Sequence, residues 1–452
     1  MSRWISKRKV SFLGSQAQGQ KQVLPVATSP ESEFEQLFRL AFLCFRPFAL
    51  TPGQMCRQRD RWVVRGTRWM SLIVLVLVLA AWIALVESFF VETRTALITG
   101  IANHIQFIAN TVALTAAWVV PQLKVDELSA ILDGFLLIDR ELSSYSVQPV
   151  PKSTRRSLFV HYSIVLAALG LLTTYDGCVS FGILTSIEPW YWLAHQLPFI
   201  VYSIAFLQAY LVIGWLQVRF RHLNALVEQY YRQGCVFTPA VKPPIVAFTT
   251  IARLDEDAPL ADDLQVLAIV SRAIDLGQKI ESYFGPLFLT GYTALFSVTT
   301  IQSYYCYLHL TTKGDDKGLS VETLILSGAI ILANAIAIVG LPYACERVES
   351  ESKRLLSYLS KLSMKHGQAA QHSGSIWFPN LISSVRFSAL GFFSVNYNML
   401  SGLVAGMVTY LIIFIQFNSM VPAGKDDEHH TRRRVQPTES DQSLSRRYPL
   451  KL

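Results

Sequence analysis

The chain has 452 residues, of which 51% are hydrophobic and only 16% charged, with a formal net charge of +8. That balance is too apolar and too sparsely charged for an ordinary soluble domain, and it reads as an all-α protein crossing a membrane several times. The basic excess is accounted for by cytoplasmic retention of positive loops and by attraction to anionic lipid headgroups. Nucleic-acid binding is an unnecessary hypothesis.

Residues 1–33 are polar and basic without a short apolar core, so a disordered cytoplasmic N-terminus without a cleavable signal is expected. Residues 34–68 follow as an amphipathic or re-entrant segment, with Phe34, Leu37, Phe38, Leu40, Ala41 and Phe45 placed to lie along the cytoplasmic interface. Apolar runs near 69–91, 97–120, 157–185, 190–217, 281–309, 321–343 and 387–417 are each long enough to cross a hydrocarbon core. Seven spans are therefore expected, with 69–417 as the membrane domain. Helices continue past the fourth span through Tyr230, before the fifth from about Asp263, and past Pro342 after the sixth, giving a packed cytoplasmic helical layer or, alternatively, solvated charged helices. Residues 418–452 read as a disordered tail.

With the N-terminus inside, the loops between spans carry 18 basic residues on the cytoplasmic side and three outside, Arg94, Lys313 and Lys317. Arg432-Arg433-Arg434 in the tail pulls the other way. Six cysteines show no Cys-x-x-Cys pairing, although Cys178 and Cys306, near the outer ends of their spans, leave a disulfide chemically allowed. Phosphate-loop, His-Glu-x-x-His and Gly-x-Ser-x-Gly motifs are missing from the sequence, so no enzyme, cofactor or metal is expected.

The outer halves of the spans collect polar and aromatic residues: Glu87, His104, Asp176, Trp190, Tyr191, Trp192, His195, Gln302, Tyr304, Tyr305 and Tyr307. Ionisable groups at membrane depth usually face the bundle interior or a cavity, so Asp176 and His195 point to a small-molecule pocket. The aromatics fit either its lining or an interfacial belt. In the last span Thr409, Ile413 and Gln416 fall on one helical stripe with Phe417 beside it, and Ser401, Gly402, Ala405 and Gly406 allow close helix packing. Around an axis shared by several copies, that stripe would form a hydrophobic constriction next to a ring of amides. Within one subunit, Gln416 would instead bond a neighbouring helix.

The string Thr409-Tyr410-Leu411-Ile412-Ile413-Phe414-Ile415-Gln416-Phe417 resembles the C-terminal signature of insect gustatory receptors, Thr-Tyr, five apolar residues, then Gln-Phe. The resemblance implies a ligand-gated, non-selective cation channel of the sensory-neuron plasma membrane, assembled as a homo- or heterotetramer. Its partners would be a small-molecule tastant, permeating cations and membrane lipid. It also implies a pore gate at Gln416 and Phe417, with Ile413 and Thr409 on the same path. Sugar-sensing members often carry an acid after the Thr-Tyr pair, where this chain has Leu411. The competing class, a G-protein-coupled seven-helix receptor, would need the opposite orientation, and the chain has no Asp-Arg-Tyr after the third span and no Asn-Pro-x-x-Tyr in the seventh.

Overall fold

The computed structural model describes residues 33–58, 61–91, 97–145, 152–183, 189–233, 258–311, 321–367 and 383–420. The expected disordered ends before 33 and after 420, most of the 233–263 linker, and most or all of each expected outer loop lie outside these residues. The first helix, α1 (Glu33–Phe45), is amphipathic as its spacing requires, but its apolar face meets protein. Leu37, Phe38, Phe42 and Phe45 are buried; the Phe38 ring lies 5.7 Å from Trp215, and Phe45 meets Tyr162 edge-on at 5.6 Å.

A 3-10 turn (Arg46–Phe48) follows, and its Phe48 carbonyl accepts from Trp118 Nε1 at 2.9 Å. The rest of the expected re-entrant segment is an antiparallel hairpin, β1 (Gly53–Gln58) with β2 (Arg61–Gly66). Its register pairs Gly53 with Gly66, and a Cβ at Gly53 would fall 2.1 Å from the Arg65 carbonyl oxygen, so only glycine fits. Val64 N donates to Ser129 Oγ at 3.1 Å, fixing the hairpin to the helix below it.

The long helices are α2 (Arg68–Val91), α3 (Leu97–Leu123), α4 (Val125–Ser144), α5 (Lys152–Ile183), α6 (Pro189–Gln233), α7 (Ala258–Thr311), α8 (Val321–Gly367) and α9 (Tyr397–Met420). Among the described residues six of them, α2 and α5 to α9, are long and apolar enough to cross a membrane. The expected second span, α3, is not among these six; it is 27 residues long and turns Gln106, Asn110 and Thr111 into the bundle, where they are buried. α6 and α7 form the centre, packed along α8 and α3, while α2 lies at the edge with most of its side chains exposed.

Below the apolar region a layer forms from α4 and the lower halves of α6, α7 and α8. The sequence pattern does not separate α4 from its neighbours; it continues α3 after a single non-helical residue, Lys124, whose Nζ reaches Glu127 at 3.0 Å and the Ser282 carbonyl at 2.8 Å. At the centre of this layer Arg219 and Asp139 form a buried two-pronged pair, Nε to Oδ1 at 3.0 Å and Nη2 to Oδ2 at 2.6 Å. Arg219 Nη1 donates to the Trp215 carbonyl, and the guanidinium lies 5.0 Å over the Phe135 ring. Asn224 donates to Glu351, and Arg354 pairs with Glu228, joining α6 to α8. The extensions are thus a packed layer.

The seventh span, expected from residue 387, begins ten residues later, at Tyr397. Val385, Phe387 and Ala389 are buried while Arg386 and Leu390 are exposed, an alternation of period two that belongs to extended chain. Ser388 bridges Ser394 across a turn in which Leu390 has φ +53° and Gly391 φ +80°. Composition alone makes this segment look like the start of the span.

Candidate ligand cavity and pore helix

Five helices meet at one polar cavity. Its lining is Gln106 and Asn110 from α3, Leu172 and Asp176 from α5, Gln196 and Phe199 from α6, Val298 and Gln302 from α7, and Ile330 from α8. Each lies between seven and thirteen residues from one end of its helix, about 10–20 Å along the axis at 1.5 Å per residue. The convergence follows from the up-and-down path of the helices, which brings polar side chains of separate spans to one depth. Asp176 is buried, and its Oδ2 accepts from Trp192 Nε1 at 2.6 Å and from Gln196 Nε2. Asn110 is 1% exposed, and among the described residues its Oδ1 has no hydrogen-bond partner. The cavity volume is about 20 Å³, room for about one water.

Of the residues expected in a pocket, Asp176 and Gln302 line the cavity, and Trp192 supports Asp176 from behind while its ring packs 5.5 Å from Phe181. A Cβ on Gly177 would stand 3.3 Å from that indole, so the small residue lets Trp192 come close. Glu87 is elsewhere, exposed on α2. His104 also lies off the lining, its Nδ1 donating to the Gly100 carbonyl at 2.5 Å and its ring 4.1 Å from Phe89. Tyr305 donates to Asn103 and so ties α7 to α3. The side chains of Trp190, Tyr191 and His195 lie outside the described residues.

Gln106, Asn110 and Gln196 are polar lining residues that carry no charge, and with Phe199 they are absent from the polar and aromatic set drawn from the sequence. Cys178 and Cys306 are free thiols. A larger hollow, about 320 Å³, opens sideways between α3 and α7 beside Ile105, Ile108 and Val112. Its hydroxyls, on Thr290, Thr293 and Ser297, donate to carbonyls of their own helix, leaving an apolar wall. The smaller, polar cavity is the better candidate for selective recognition, since convergent polar groups fix a ligand's orientation.

α9 stands at the rim, and none of its described side chains is buried. It touches α7 along one stripe: Phe414 lies 5.5 Å from Tyr304, Tyr410 meets Phe296 edge-on at 5.7 Å, and a Cβ on Gly406 would be 3.1 Å from Phe296. The stripe of Thr409, Ile413 and Gln416 lies about 100° round the helix from Tyr410 and Phe414. Thr409 and Gln416 are exposed, Ile413 is half-buried and Phe417 is 57% exposed. Thr409 Oγ1 donates to the Ala405 carbonyl at 2.8 Å, so the stripe carries no bond from Thr409 to another helix. Because Tyr304 is two residues from Gln302, one stretch of α7 contacts both the cavity and α9.

A bundle of helices long and apolar enough to span a membrane, with a polar cavity between them and one unburied apolar helix, is the architecture of a multi-pass membrane protein. The chain belongs to the 7tm chemosensory receptor family, whose sequence model matches residues 38–421. It is similar to gustatory receptor 68a of Drosophila melanogaster, 28% identical over 152 residues, which is 33% of this chain and 37% of that protein. It is also similar to gustatory receptor 23a of the same fly, 26% identical over 141 residues, 31% of this chain and 37% of that protein. The chain therefore matches little more than a third of the length of either relative.

Among solved structures, the insect olfactory receptor OR5 from Machilis hrabei in complex with eugenol superposes with a TM-score of 0.57 at 12% identity, covering 85% of this chain and 98% of that one. Another structure of the same receptor gives 0.56 at 11% identity with the same coverage. At such identity the likeness is one of fold. The protein is a chemosensory receptor of this family and a multi-pass plasma-membrane protein.

Proposed function

We propose that the chain is the subunit of a ligand-gated, non-selective cation channel in gustatory neurons, with its N-terminus cytoplasmic and four copies arranged around a central pore. The observation that carries this reading is α9: an apolar helix of 24 residues with no described side chain buried needs other surfaces for most of its circumference. Neighbouring copies and a water-filled axis supply them.

In this arrangement Thr409, Ile413, Gln416 and Phe417 line the path, with Gln416 as a weak selectivity ring and Phe417 as the gate. A tastant enters the polar cavity, where Asp176 and Gln302 meet it. Because the cavity has room for about one water, a larger ligand favours a state in which the helices stand further apart, and differential affinity for that state is the driving force. α7 transmits the change through Tyr304 and Phe296 to α9. The G-protein-coupled alternative is disfavoured by the family and the fold.

Whole-cell recording in cells expressing only this chain, with G-protein signalling blocked, tests the proposal. A rapid ligand-evoked cation current is expected. A response that disappears with G-protein blockade overturns it.

A further inference from the structure

Five of the nine cavity residues, Gln106, Asn110, Asp176, Gln196 and Gln302, end in a carboxamide or carboxylate. Polar groups held at membrane depth cost free energy unless they are paired. Four helices nevertheless bring these five to one point. Asn110 presents an acceptor, Oδ1, that has no partner among the described residues although the side chain is 1% exposed. That oxygen calls for a donor from whatever fills the cavity, and an apolar molecule has none to give.

We propose that the cavity recognises a small neutral polyhydroxyl compound, a monosaccharide or polyol, in which hydroxyls pair with the carboxamides and a C–H face rests against Phe199. A carboxamide offers donors and an acceptor on one planar group, which suits a pair of neighbouring hydroxyls that must both give and take a hydrogen bond. The apolar side of the lining, Leu172, Phe199, Val298 and Ile330, matches the C–H surface of such a ring. A cationic amine fits less well. Asp176 Oδ2 already accepts two N–H bonds, from Trp192 and Gln196, so that oxygen is engaged within the protein, and among the described residues Phe199 is the one ring in the lining, little aromatic surface to hold a cation. The assignment rests on the receptor reading for the place of binding, and binding can be measured apart from current.

The test is thermal melting of the purified full chain in detergent. Fructose and sorbitol are applied up to ~100 mM, with quinine as a cationic amine and eugenol as a phenol with a single hydroxyl donor. A dose-dependent rise in Tm with either polyhydroxyl compound is expected. Asn110→Leu removes the unpaired acceptor while leaving a side chain of similar size, so the unliganded Tm should hold or rise while the apparent affinity falls about tenfold. Gln302→Leu provides a second variant on a separate helix.

A shift with quinine or eugenol alone, an equal polyol shift in both variants, or no polyol shift at the top concentration each overturns the assignment. Polyol stabilisation without any evoked current would support the ligand class and count against the channel reading. A current evoked only by quinine would do the reverse.

Discussion

The buried Arg219–Asp139 pair shows how much can hang on one side chain. Both groups are almost fully enclosed, with side-chain exposures of 1% and 6%, and the guanidinium also meets the Trp215 carbonyl and the Phe135 ring. Removing one partner leaves an uncompensated charge in the layer that joins α4 to α6, a loss of about 3–5 kcal/mol. Arg219→Ala should therefore lower the Tm of the detergent-purified protein and its surface expression. Arg219→Met with Asp139→Leu should recover most of both, since an apolar pair of similar volume avoids the buried charge. A double variant as unstable as the single would show that the ionic contact itself is needed.

The cavity residues show which side chains a sequence reveals. Asp176 stands out because a carboxylate inside an apolar span requires a reason. Gln106 and Asn110 are four apart on α3, hence on one face, and that spacing was available as a signal. Carboxamides are nevertheless common enough in helices to pass for packing residues. Glu87 and His104 carried the same kind of warning as Asp176, yet Glu87 is exposed on α2 and His104 is occupied by the Gly100 carbonyl. What separates these cases is the packing of distant helices, which no local pattern encodes.

At the scale of elements, the long helices other than α4 were legible from their apolar runs, and so was the continuation of the fourth, fifth and sixth spans beyond the membrane. The hairpin of residues 53–66 was not, because its strands are short and polar, and its stability comes from the Val64 bond to Ser129 and from contact with α4. The segment before α9 misled for the opposite reason, since its apolar residues serve an extended strand that packs inward.

In the proposed channel, gating rests on the α7–α9 contact. Tyr304→Ala removes the ring that meets Phe414 at 5.5 Å while leaving Gln302 and the pore stripe untouched. The dose response should move to higher ligand concentration by about two- to tenfold, the size expected for an aromatic pair of about 0.5–1.5 kcal/mol, with unitary conductance unchanged. Patch recording of single channels separates the two. A change in conductance with no shift in the dose response would place Tyr304 in the permeation path instead.

For the whole molecule the question is what covers α9. A single chain leaves the helix at the rim, with Val404, Val408, Tyr410, Ile412 and Phe417 each about half exposed. Lipid could cover such a surface, and so could three further copies around a water-filled axis. A charge distinguishes them. Thr409 lies at the middle of α9, and a carboxylate at that depth facing lipid costs about 2.5–3.5 kcal/mol per helix, enough to depress surface expression. Facing water, it costs little.

Thr409→Glu and Gln416→Glu should therefore reach the cell surface at parental levels, and the protein should migrate in mild detergent at four times the 50.7 kDa of one chain. Each would place a ring of four carboxylates on the axis. Divalent cations should then permeate more readily relative to monovalent ones, read as a shift of reversal potential, while the ligand dose response stays close to the parent's because the cavity is untouched. Loss of surface protein for Thr409→Glu together with unchanged permeation for Gln416→Glu would place α9 against lipid and remove the pore from this helix.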